Sequence, residues 1–360
     1  MKIDEYFMQR ALELAEKGRG ATGENPMVGA VLVKDGKILG EGYHKKAGGA
    51  HAEIEALKAA GPNANGATMY VNLEPCSHYG KTPPCTEAII KAGIARVVAA
   101  MEDPNPKVSG RGFKKLKDAG IDVAVGVLED KALKLNEVFV KNMSHKTPFV
   151  VAKIAQTMDG KIALSSGKSK WITGEASRKK AHELRNVYDA VLVGIGTVLA
   201  DNPRLNCRLA NKTKDPIKII LDSSAQLPME SKVLDSGKVI LAATSHADEG
   251  RLRKLQNKGV EVIKTSQDTV NLKELLMKLF DMGICSVLIE GGPRVFTSFL
   301  KEELLDKLVV FLAPKIIGAD GKACVGRLFI KEIEHMYEFN IDNAGKIGED
   351  IMLEMYPKKD

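Results

Sequence analysis

Two stretches decide how the first half of this sequence folds: His51-Ala52-Glu53 and Leu73-Glu74-Pro75-Cys76-Ser77-His78-Tyr79-Gly80-Lys81-Thr82-Pro83-Pro84-Cys85. One histidine and two cysteines are three ligands suited to tetrahedral zinc, and they leave a fourth position for water, as in catalytic rather than closed structural sites. Zinc lowers the pKa of a bound water toward neutrality, and a neighbouring carboxylate can move the proton. Glu53 is therefore the candidate general acid and base.

The predicted ligands are His51, Cys76 and Cys85, which implies one zinc ion per chain. His51 lies where a loop enters the helical pattern Ala52–Ala60, and Cys85 precedes the helical pattern Thr86–Ala92. Helix N-termini favour thiolate and hydroxide, so the pattern places the ligands where their charge is stabilised.

The sequence around these motifs alternates between helix and strand periodicity. Strands are predicted at Met27–Val33, Ile38–Tyr43, Thr68–Leu73, Arg96–Met101 and Val123–Val127, and the Asp35-Gly36 pair between the first two is typical of a hairpin turn. Helices are predicted around Phe7–Ala15, at Ala52–Ala60, Thr86–Ala92 and Gly112–Ala119, and across Asp130–Met143. The pattern indicates a layered α/β domain.

A polar break, Ser144-His145-Lys146-Thr147-Pro148, predicts the domain boundary. We therefore expect one domain over residues 1–146 and another over residues 147–360. Beyond the break, strands are predicted at Phe149–Ala155, Ala190–Val193, Ile217–Leu221, Val239–Ala242, Val260–Lys264, Ser286–Glu290 and Leu308–Ala313. Helical patterns at Glu175–Asn186, Asp248–Asn257 and Leu272–Met282 alternate with them, so the second domain is also predicted to be α/β.

The amino-acid composition limits the kinds of molecule that the protein is expected to bind. The 360 residues are 44% hydrophobic and 28% charged, which is typical of a globular protein, and the net charge of +7 is spread without a basic block. Nucleic-acid binding is therefore not expected, whereas anionic small molecules are plausible ligands. No apolar run is long enough to cross a bilayer, and the basic-then-apolar pattern of a signal peptide is missing, so a cytoplasmic protein is expected. The odd number of cysteines, five, argues against a disulfide framework.

His-x-Glu followed by Pro-Cys and a later Cys is the signature of zinc nucleobase deaminases, although two residues usually separate their cysteines and here eight residues do. The chain as a whole resembles the bifunctional riboflavin-biosynthesis deaminase–reductases, in which the longer spacer is usual. Further motifs carry this resemblance: Asn25-Pro26-Met27-Val28-Gly29, Asp103-Pro104-Asn105-Pro106, Lys153-Ile154-Ala155-Gln156-Thr157-Met158-Asp159-Gly160-Lys161, Ser169-Lys170-Trp171-Ile172-Thr173, Gly194-Ile195-Gly196-Thr197, Asp201-Asn202-Pro203 and Glu290-Gly291-Gly292.

The resemblance implies a cytidine-deaminase-like three-layer domain followed by a dihydrofolate-reductase-like α/β domain. The first would hydrolyse the 2-amino group of 2,5-diamino-6-ribosylamino-4(3H)-pyrimidinone 5′-phosphate. The second would use NADPH to reduce the ribosyl group of 5-amino-6-(5-phosphoribosylamino)uracil to ribityl. The expected partners are these phosphorylated pyrimidines and a second copy of the chain in a dimer or tetramer, with no nucleic acid or membrane.

Candidate contact residues follow from the motifs and the resemblance. The deaminase substrate is assigned to Asn25, His44, His78, Lys81, Asp103 and Asn105. NADPH is assigned to Ala155, Trp171, Thr197, Asp201, Ser223, Gly291 and Gly292. The reductase substrate is assigned to Lys153, Ser169, Arg185, Leu205, Arg208 and Glu290, with the two arginines on its phosphate because a guanidinium matches phosphate bidentately.

Each assignment has a plainer alternative. The loop residues could simply be solvated, Arg185 could lie on an exposed helix face, Trp171 could fill the core, and the glycine pairs could be ordinary strand-to-helix turns. The three remaining cysteines, Cys207, Cys285 and Cys324, are predicted to be core residues.

Two other functions remain open at this level. The zinc site could act on a nucleoside, a deoxynucleotide or a tRNA base, with a regulatory second half, although the long spacer and the lack of a basic patch argue against polynucleotides. The site could instead be a structural zinc module for binding a partner, but three ligands beside Glu53 argue against it because closed structural sites use four.

Overall fold

The structure is a computed structural model, and it describes residues 2–79, 83–106, 108–265 and 268–358. The chain divides into two units, residues 1–146 and residues 147–360. The buried apolar clusters of each unit draw only on residues of that unit. Each unit therefore has its own hydrophobic core.

The first unit alternates helices and strands much as the sequence pattern predicts. Its elements are α1 (Ile3–Glu16), β1 (Gly29–Lys34), β2 (Lys37–Tyr43), α2 (Ala52–Ala60), β3 (Thr68–Val71), α3 (Cys85–Lys91), β4 (Arg96–Ala99), α4 (Arg111–Asp118), β5 (Asp122–Val125), α5 (Glu129–Leu135) and α6 (Glu137–His145). Within the described residues they form a five-stranded sheet of order β2-β1-β3-β4-β5. Strand β1 is antiparallel to both neighbours, and β3, β4 and β5 are parallel.

Strand alternation builds three layers from this sheet. Ala30 and Leu32 of β1 belong to the core on the side of α2, whereas Val31 and Val33 belong to the core on the side of α1. Helix α2 lies very close to β2, because a Cβ at Gly42 would come within 2.4 Å of the Ala52 carbonyl oxygen. Glycine at position 42 therefore allows the short distance between β2 and α2, the helix whose first turn carries Glu53, the predicted general acid and base.

The second unit is built on a larger sheet. Its elements are β6 (Phe149–Thr157), β7 (Lys161–Ala163), α7 (Glu175–Val187), β8 (Ala190–Gly194), α8 (Ile195–Asp201), β9 (Ile217–Leu221), β10 (Val239–Thr244), α9 (Glu249–Asn257), β11 (Glu261–Thr265), α10 (Leu272–Asp281), β12 (Ser286–Ile289), α11 (Pro293–Lys301), β13 (Lys307–Ala313), β14 (Lys322–Ala323), β15 (Phe339–Ile347) and β16 (Asp350–Pro357). Among the described residues the main sheet has the order β11-β10-β9-β8-β12-β6-β13-β16-β15.

Parallel pairing sets the layout of this sheet. The strands from β11 to β13 are parallel to their neighbours, and only the β16–β15 hairpin joins in antiparallel pairing. Buried side chains of the central strands alternate between two cores, such as Leu192 on one face and Val191 on the other. The carboxyl ends of β9, β8, β12 and β6 therefore lie side by side, which is where ligands bind in open α/β sheets.

The structure corrects three details of the sequence analysis. The helix predicted across Asp130–Met143 is two helices that meet at Asn136. The C-terminal hairpin was missed because most side chains of β15 are exposed and lack the buried alternation that marks a strand. Cys207 and Cys285 are buried as predicted, but the prediction was wrong for Cys324, which is only half-buried just beyond the short strand β14.

Because neither core borrows side chains from the other unit, we expect residues 1–146 to fold alone. This fragment should show native-like circular dichroism and one cooperative thermal transition, and residues 147–360 should behave likewise. Aggregation of both fragments would show that the halves depend on each other, and the predicted domain boundary would then be wrong.

Candidate active sites

Three potential zinc ligands meet at one end of the first sheet. The donor atoms of His51, Cys76 and Cys85 all lie within 4.8 Å of one another. His51 Nδ1 is 3.2 Å from the Cys85 sulfur and 3.6 Å from the Cys76 sulfur. Tetrahedral zinc with ordinary bond lengths requires nitrogen–sulfur separations of about 3.6 Å. The residues therefore fit a zinc ion bound through Nδ1 and two sulfurs.

Local structure explains why the ligands meet. His51 is the N-cap of α2, Cys85 is the first residue of α3, and the Cys85 backbone N–H donates to the Cys76 sulfur at 3.3 Å. Hydrogen bonds from the Cys85 thiol and from His51 lower the pKa of Cys76 below that of an ordinary thiol. Cys76 is thus poised to be the thiolate that a metal requires.

Glu53 lies in the first turn of α2 and is buried beside this cluster. Its burial, followed by the charge of the Cys76 thiolate, raises its pKa above that of an ordinary glutamate. A carboxyl group with a raised pKa can hold and release a proton nearer neutral pH.

A pocket of about 390 Å³ is lined by Glu53 and by two of the three ligands, His51 and Cys76. It is lined by five of the residues that the sequence analysis assigns to the deaminase substrate: Asn25, His44, His78, Asp103 and Asn105. The sixth, Lys81, lies outside the described residues. The pocket gathers residues from loops far apart in sequence around Glu53 and the ligands, as a binding site for a small polar molecule would.

Asn25 and His44 form an ordered pair in the pocket wall. His44 Nδ1 is 3.1 Å from the Ala50 carbonyl oxygen, which can only accept, so this nitrogen carries the proton. His44 Nε2 is then free to accept from the Asn25 amide at 3.2 Å. This bond leaves the Asn25 side-chain oxygen as a hydrogen-bond acceptor for a ligand.

Asp103 is a buried acid in the lining of the pocket. Burial is the main cause that raises its pKa to about 6, and the charge of Glu74 adds to it. One of its oxygens accepts the Asn105 backbone N–H at 2.8 Å, so the two predicted contact residues form one turn.

The sequence analysis missed the residues that hold the pocket wall in place. The buried Asn136 accepts the Met27 N–H at 2.8 Å and donates to the Met27 carbonyl oxygen at 3.0 Å. The buried Asn72 donates to the same oxygen and accepts the Gly29 N–H. These two amides fix the segment after Asn25, and the junction of α5 and α6 brings Phe139 into the pocket lining. For Asn136, the sequence offered one sign of this role, a polar residue inside the helical pattern predicted across Asp130–Met143.

In the second unit, the glycine pairs stand at the carboxyl ends of neighbouring strands. Gly194 ends β8, and Gly292 is the N-cap of α11 just beyond β12. Neither α8 nor α11 has an acidic residue in its first turn. A Cβ at Gly291 would come within 2.7 Å of Val295, so α11 turns in against this strand end. A helix N-terminus that is free of acids suits a phosphate group.

The remaining NADPH candidates occupy the same edge or flank it. Ala155 lies in β6, Ser223 follows β9, Thr197 is in α8 and Asp201 is its last residue. Trp171 is 63% exposed with the Arg178 guanidinium 4.6 Å from its ring, so the alternative that it fills the core is wrong.

Of the six residues predicted to hold the reductase substrate, three form a charged cluster. Glu290 Oε1 and Oε2 accept from Arg185 at 2.5 and 2.9 Å, and Lys153 donates to Oε2 at 3.2 Å. Burial opposes ionisation of Glu290, but the charges of Arg185 and Lys153 outweigh it and lower its pKa. The alternative that Arg185 is an exposed helix residue is wrong, because its side chain is buried against this carboxylate.

Arg208 lies beside this cluster but, unlike Arg185, is exposed to solvent. Its backbone N–H donates to His182 Nδ1 at 3.3 Å, and the residue is exposed. Burial, together with the charges of Arg185 and Arg208, lowers the pKa of His182 to about 4, so this imidazole is neutral at pH 7. Leu205 is buried and Ser169 is half-buried on the flanking loops. The arrangement leaves an exposed guanidinium next to a buried, positively charged cluster.

Comparisons with known proteins identify the family of each unit. Residues 1–101 match the cytidine and deoxycytidylate deaminase zinc-binding region, and residues 148–353 match the RibD C-terminal domain. The fold and the sites thus define a zinc deaminase joined to a dihydrofolate-reductase-like reductase, which confirms the predicted fold class.

Whole-chain similarity specifies the family. The chain is 48% identical to the riboflavin biosynthesis protein RibD of Aquifex aeolicus over 98% of both chains, and 39% identical to that of Escherichia coli over 98% of this chain and 99% of the other. It is similar to RibD of Acinetobacter baumannii, with a TM-score of 0.91 and 41% identity over 99% of both chains. A Thermotoga maritima structure gives a TM-score of 0.87 and 42% identity, also over 99% of both. The chain belongs to the RibD family of bifunctional deaminase–reductases of riboflavin biosynthesis.

Among the residues that the structure describes, no helix is both long and apolar enough to cross a membrane.

Metal analysis tests the ligand set directly. We expect the wild-type protein to bind one zinc ion per chain, and Cys85→Ser to lose about 10-fold or more in zinc affinity because a hydroxyl is a poor substitute for a thiolate ligand. Cys285→Ser, a change in a buried cysteine of the second unit, is the matched control and should keep the metal. Equal zinc content in both variants would contradict the assignment.

Proposed function

We propose that the first unit hydrolyses the 2-amino group of 2,5-diamino-6-ribosylamino-4(3H)-pyrimidinone 5′-phosphate. The observation that carries this is the pocket lined by Glu53, by His51 and Cys76 of the three-ligand cluster, and by five of the predicted substrate-contact residues. The Thermotoga maritima relative is described as a diaminohydroxyphosphoribosylaminopyrimidine deaminase and 5-amino-6-(5-phosphoribosylamino)uracil reductase. That description supports the same substrates here.

Glu53 is the proton carrier of this reaction. When bound by His51, Cys76 and Cys85, zinc supplies a Lewis acid that makes water a better nucleophile at neutral pH. Glu53 accepts a proton from the water that attacks the ring carbon and delivers it to the departing amine, which leaves as ammonia. The raised pKa of Glu53 suits both halves of this transfer.

The substrate is oriented by the polar walls of the pocket. The Asn25 side-chain oxygen, fixed by the bond to His44, is an acceptor for a ring or amino N–H. Asp103 and Asn105 form a second polar wall. We assign His78 and Lys81 to the phosphorylated end of the substrate because both side chains can donate hydrogen bonds to a phosphate. Phe139 supplies an apolar surface for the pyrimidine ring.

We propose that the second unit uses NADPH to reduce the ribosyl group of the deaminated product to ribityl. Residues at the carboxyl edge of the sheet fit the cofactor, since the Gly291-Gly292 turn and the N-terminus of α11 offer backbone N–H groups to a diphosphate. Ala155, Trp171, Thr197, Asp201 and Ser223 complete the proposed cofactor site. NADPH supplies a hydride when bound.

The charged cluster serves the reductase substrate. The Lys153 ammonium, held by Glu290, is placed to give a proton to the opened sugar as the hydride is added. Arg208 and Arg185 are proposed to take the 5′-phosphate, with Ser169 and Leu205 flanking it. Arg208 is the better placed of the two, because Arg185 already donates to Glu290 and to the Asn206 carbonyl oxygen.

The cellular setting completes the proposal. We place the enzyme in the cytoplasm as a dimer or tetramer, which the family resemblance supports. The free cysteines among the described residues suit a reducing compartment.

Replacement of Glu53 by Gln tests the deaminase mechanism. The amide keeps the shape of the side chain but cannot accept the proton, so ammonia release should fall by a factor of about 100 to 10,000. Zinc content and NADPH oxidation with the deaminated substrate should be unchanged. Little change in ammonia release, or loss of zinc, would refute this role.

Two arginine variants separate phosphate binding from structural pairing. Arg208→Ala should raise the KM for the reductase substrate about thirtyfold, since one charge-assisted contact is worth about 2 kcal/mol, and should leave the melting temperature and NADPH affinity unchanged. Arg185→Ala should destabilise the second unit by about 3 to 5 kcal/mol because it leaves the buried Glu290 with a single partner. Steady-state kinetics, NADPH titration by fluorescence and thermal unfolding measure these effects. Loss of NADPH affinity with an unchanged substrate KM in Arg208→Ala would place this arginine on the cofactor instead.

A further inference from the structure

Glu74 has a role that the deaminase motif alone does not reveal. It precedes Pro75-Cys76, lines the pocket, and is only 3% exposed. Its carboxylate accepts four backbone N–H groups: Oε1 from Gly112 at 2.8 Å and Phe113 at 3.3 Å, and Oε2 from Asp103 at 3.1 Å and Gly110 at 3.0 Å. A carboxylate has about four acceptor positions, so its hydrogen-bonding capacity is filled by the backbone.

The four donors belong to two parts of the site. Gly112 and Phe113 are in the first turn of α4, whose unpaired N–H groups need acceptors. Asp103 and Gly110 flank the segment that brings Asn105 to the pocket. One buried side chain therefore joins the turn that carries Cys76 to the wall that carries the predicted substrate contacts.

Close packing confirms that this contact tolerates little movement. A Cβ at Gly112 would lie 2.2 Å from the Pro75 carbonyl oxygen and 2.9 Å from Glu74 Oε1. Both are far shorter than any ordinary contact, so a side chain at position 112 would push α4 away from the Glu74-Pro75-Cys76 turn. The glycine and the carboxylate are two halves of one contact.

We infer that Glu74 is a positioning residue of the deaminase: it sets the distance between the metal ligand Cys76 and the substrate wall at Asp103 and Asn105. This inference rests on the proposed deaminase function. Glu74 moves no proton in it, since its oxygens are saturated by backbone donors. Its contribution is to keep the reacting carbon of the bound pyrimidine in line with Glu53.

Glu74→Gln is the decisive variant. The amide retains one oxygen but replaces the other with an NH₂ group, which would face two backbone N–H donors and repel them. Residues that orient metal ligands from outside typically contribute about 10- to 100-fold to activity or metal affinity. We expect kcat/KM for ammonia release from the diaminopyrimidinone phosphate to fall by about that factor, with a raised KM that persists when metal analysis shows one zinc per chain.

Matched variants keep the result interpretable. Glu129→Gln makes the same chemical change at an exposed glutamate in the first turn of α5 and should leave ammonia release unchanged. Gly112→Ala perturbs the contact from the other side and should reproduce the raised KM. NADPH oxidation by the second unit provides an internal check that each variant is properly produced.

The outcomes separate this inference from the function it rests on. If wild-type protein releases ammonia and Glu53→Gln does not, but Glu74→Gln and Gly112→Ala keep the wild-type KM, the inference is wrong and the deaminase assignment stands. A lower melting temperature with unchanged KM in both variants also overturns it, because the role is then merely structural. If wild-type protein releases no ammonia, the proposed function itself fails.

Discussion

The first unit depends on one constraint: two helices and a turn must begin at the same point so that a nitrogen and two sulfurs share a single metal. His51 caps α2, Cys85 begins α3, and Cys76 lies in the turn after β3. The sheet supplies the common origin, because β1 and β3 are paired neighbours and Gly42 lets α2 lie close to β2. A shift of α2 along β2 would move both His51 and Glu53. The packing of α2 on β2 therefore also sets the positions of a predicted metal ligand and of the predicted general acid and base.

The sequence was sufficient to predict the parts whose chemistry is local. His51, Cys76 and Cys85 were identifiable as a candidate metal site because each residue type is a common zinc ligand, and Glu53 was identifiable as a candidate proton carrier because it follows His51 by two residues. The hairpin turn at Asp35-Gly36 was also predictable from local sequence, because an Asp-Gly pair readily adopts the two positive φ angles that such a turn requires, and both residues have positive φ in the structure. Short, mostly apolar strands such as β8 and β12 were also predicted close to their actual limits.

Other features depended on long-range contacts and could not be predicted. Glu74 gives no signal in the sequence, because its importance comes from N–H groups that lie about 30 to 40 residues further along the chain. Asn136 is similar, since it bonds to Met27 across 109 residues. Arg185 was predicted as a substrate contact, but its pairing with Glu290 could not be read from the helix pattern in which it lies. A sequence pattern shows the periodicity of one helix or strand. These residues instead matter through hydrogen bonds and ion pairs with segments distant in sequence, which the pattern does not show.

The two sites also handle charge in opposite ways, and this difference argues for what each one binds. The first site brings together one imidazole and two cysteines, and the Cys76 thiol has a lowered pKa, so this donor set suits a metal cation. The second site sets Lys153 and Arg185 against a single carboxylate, Glu290, with the neutral His182 and the exposed Arg208 alongside. Its balance is positive and favours an anion. Zinc fits the donor set of the first site and an anionic ligand fits the charge of the second, in agreement with a zinc-binding deaminase half and a reductase half.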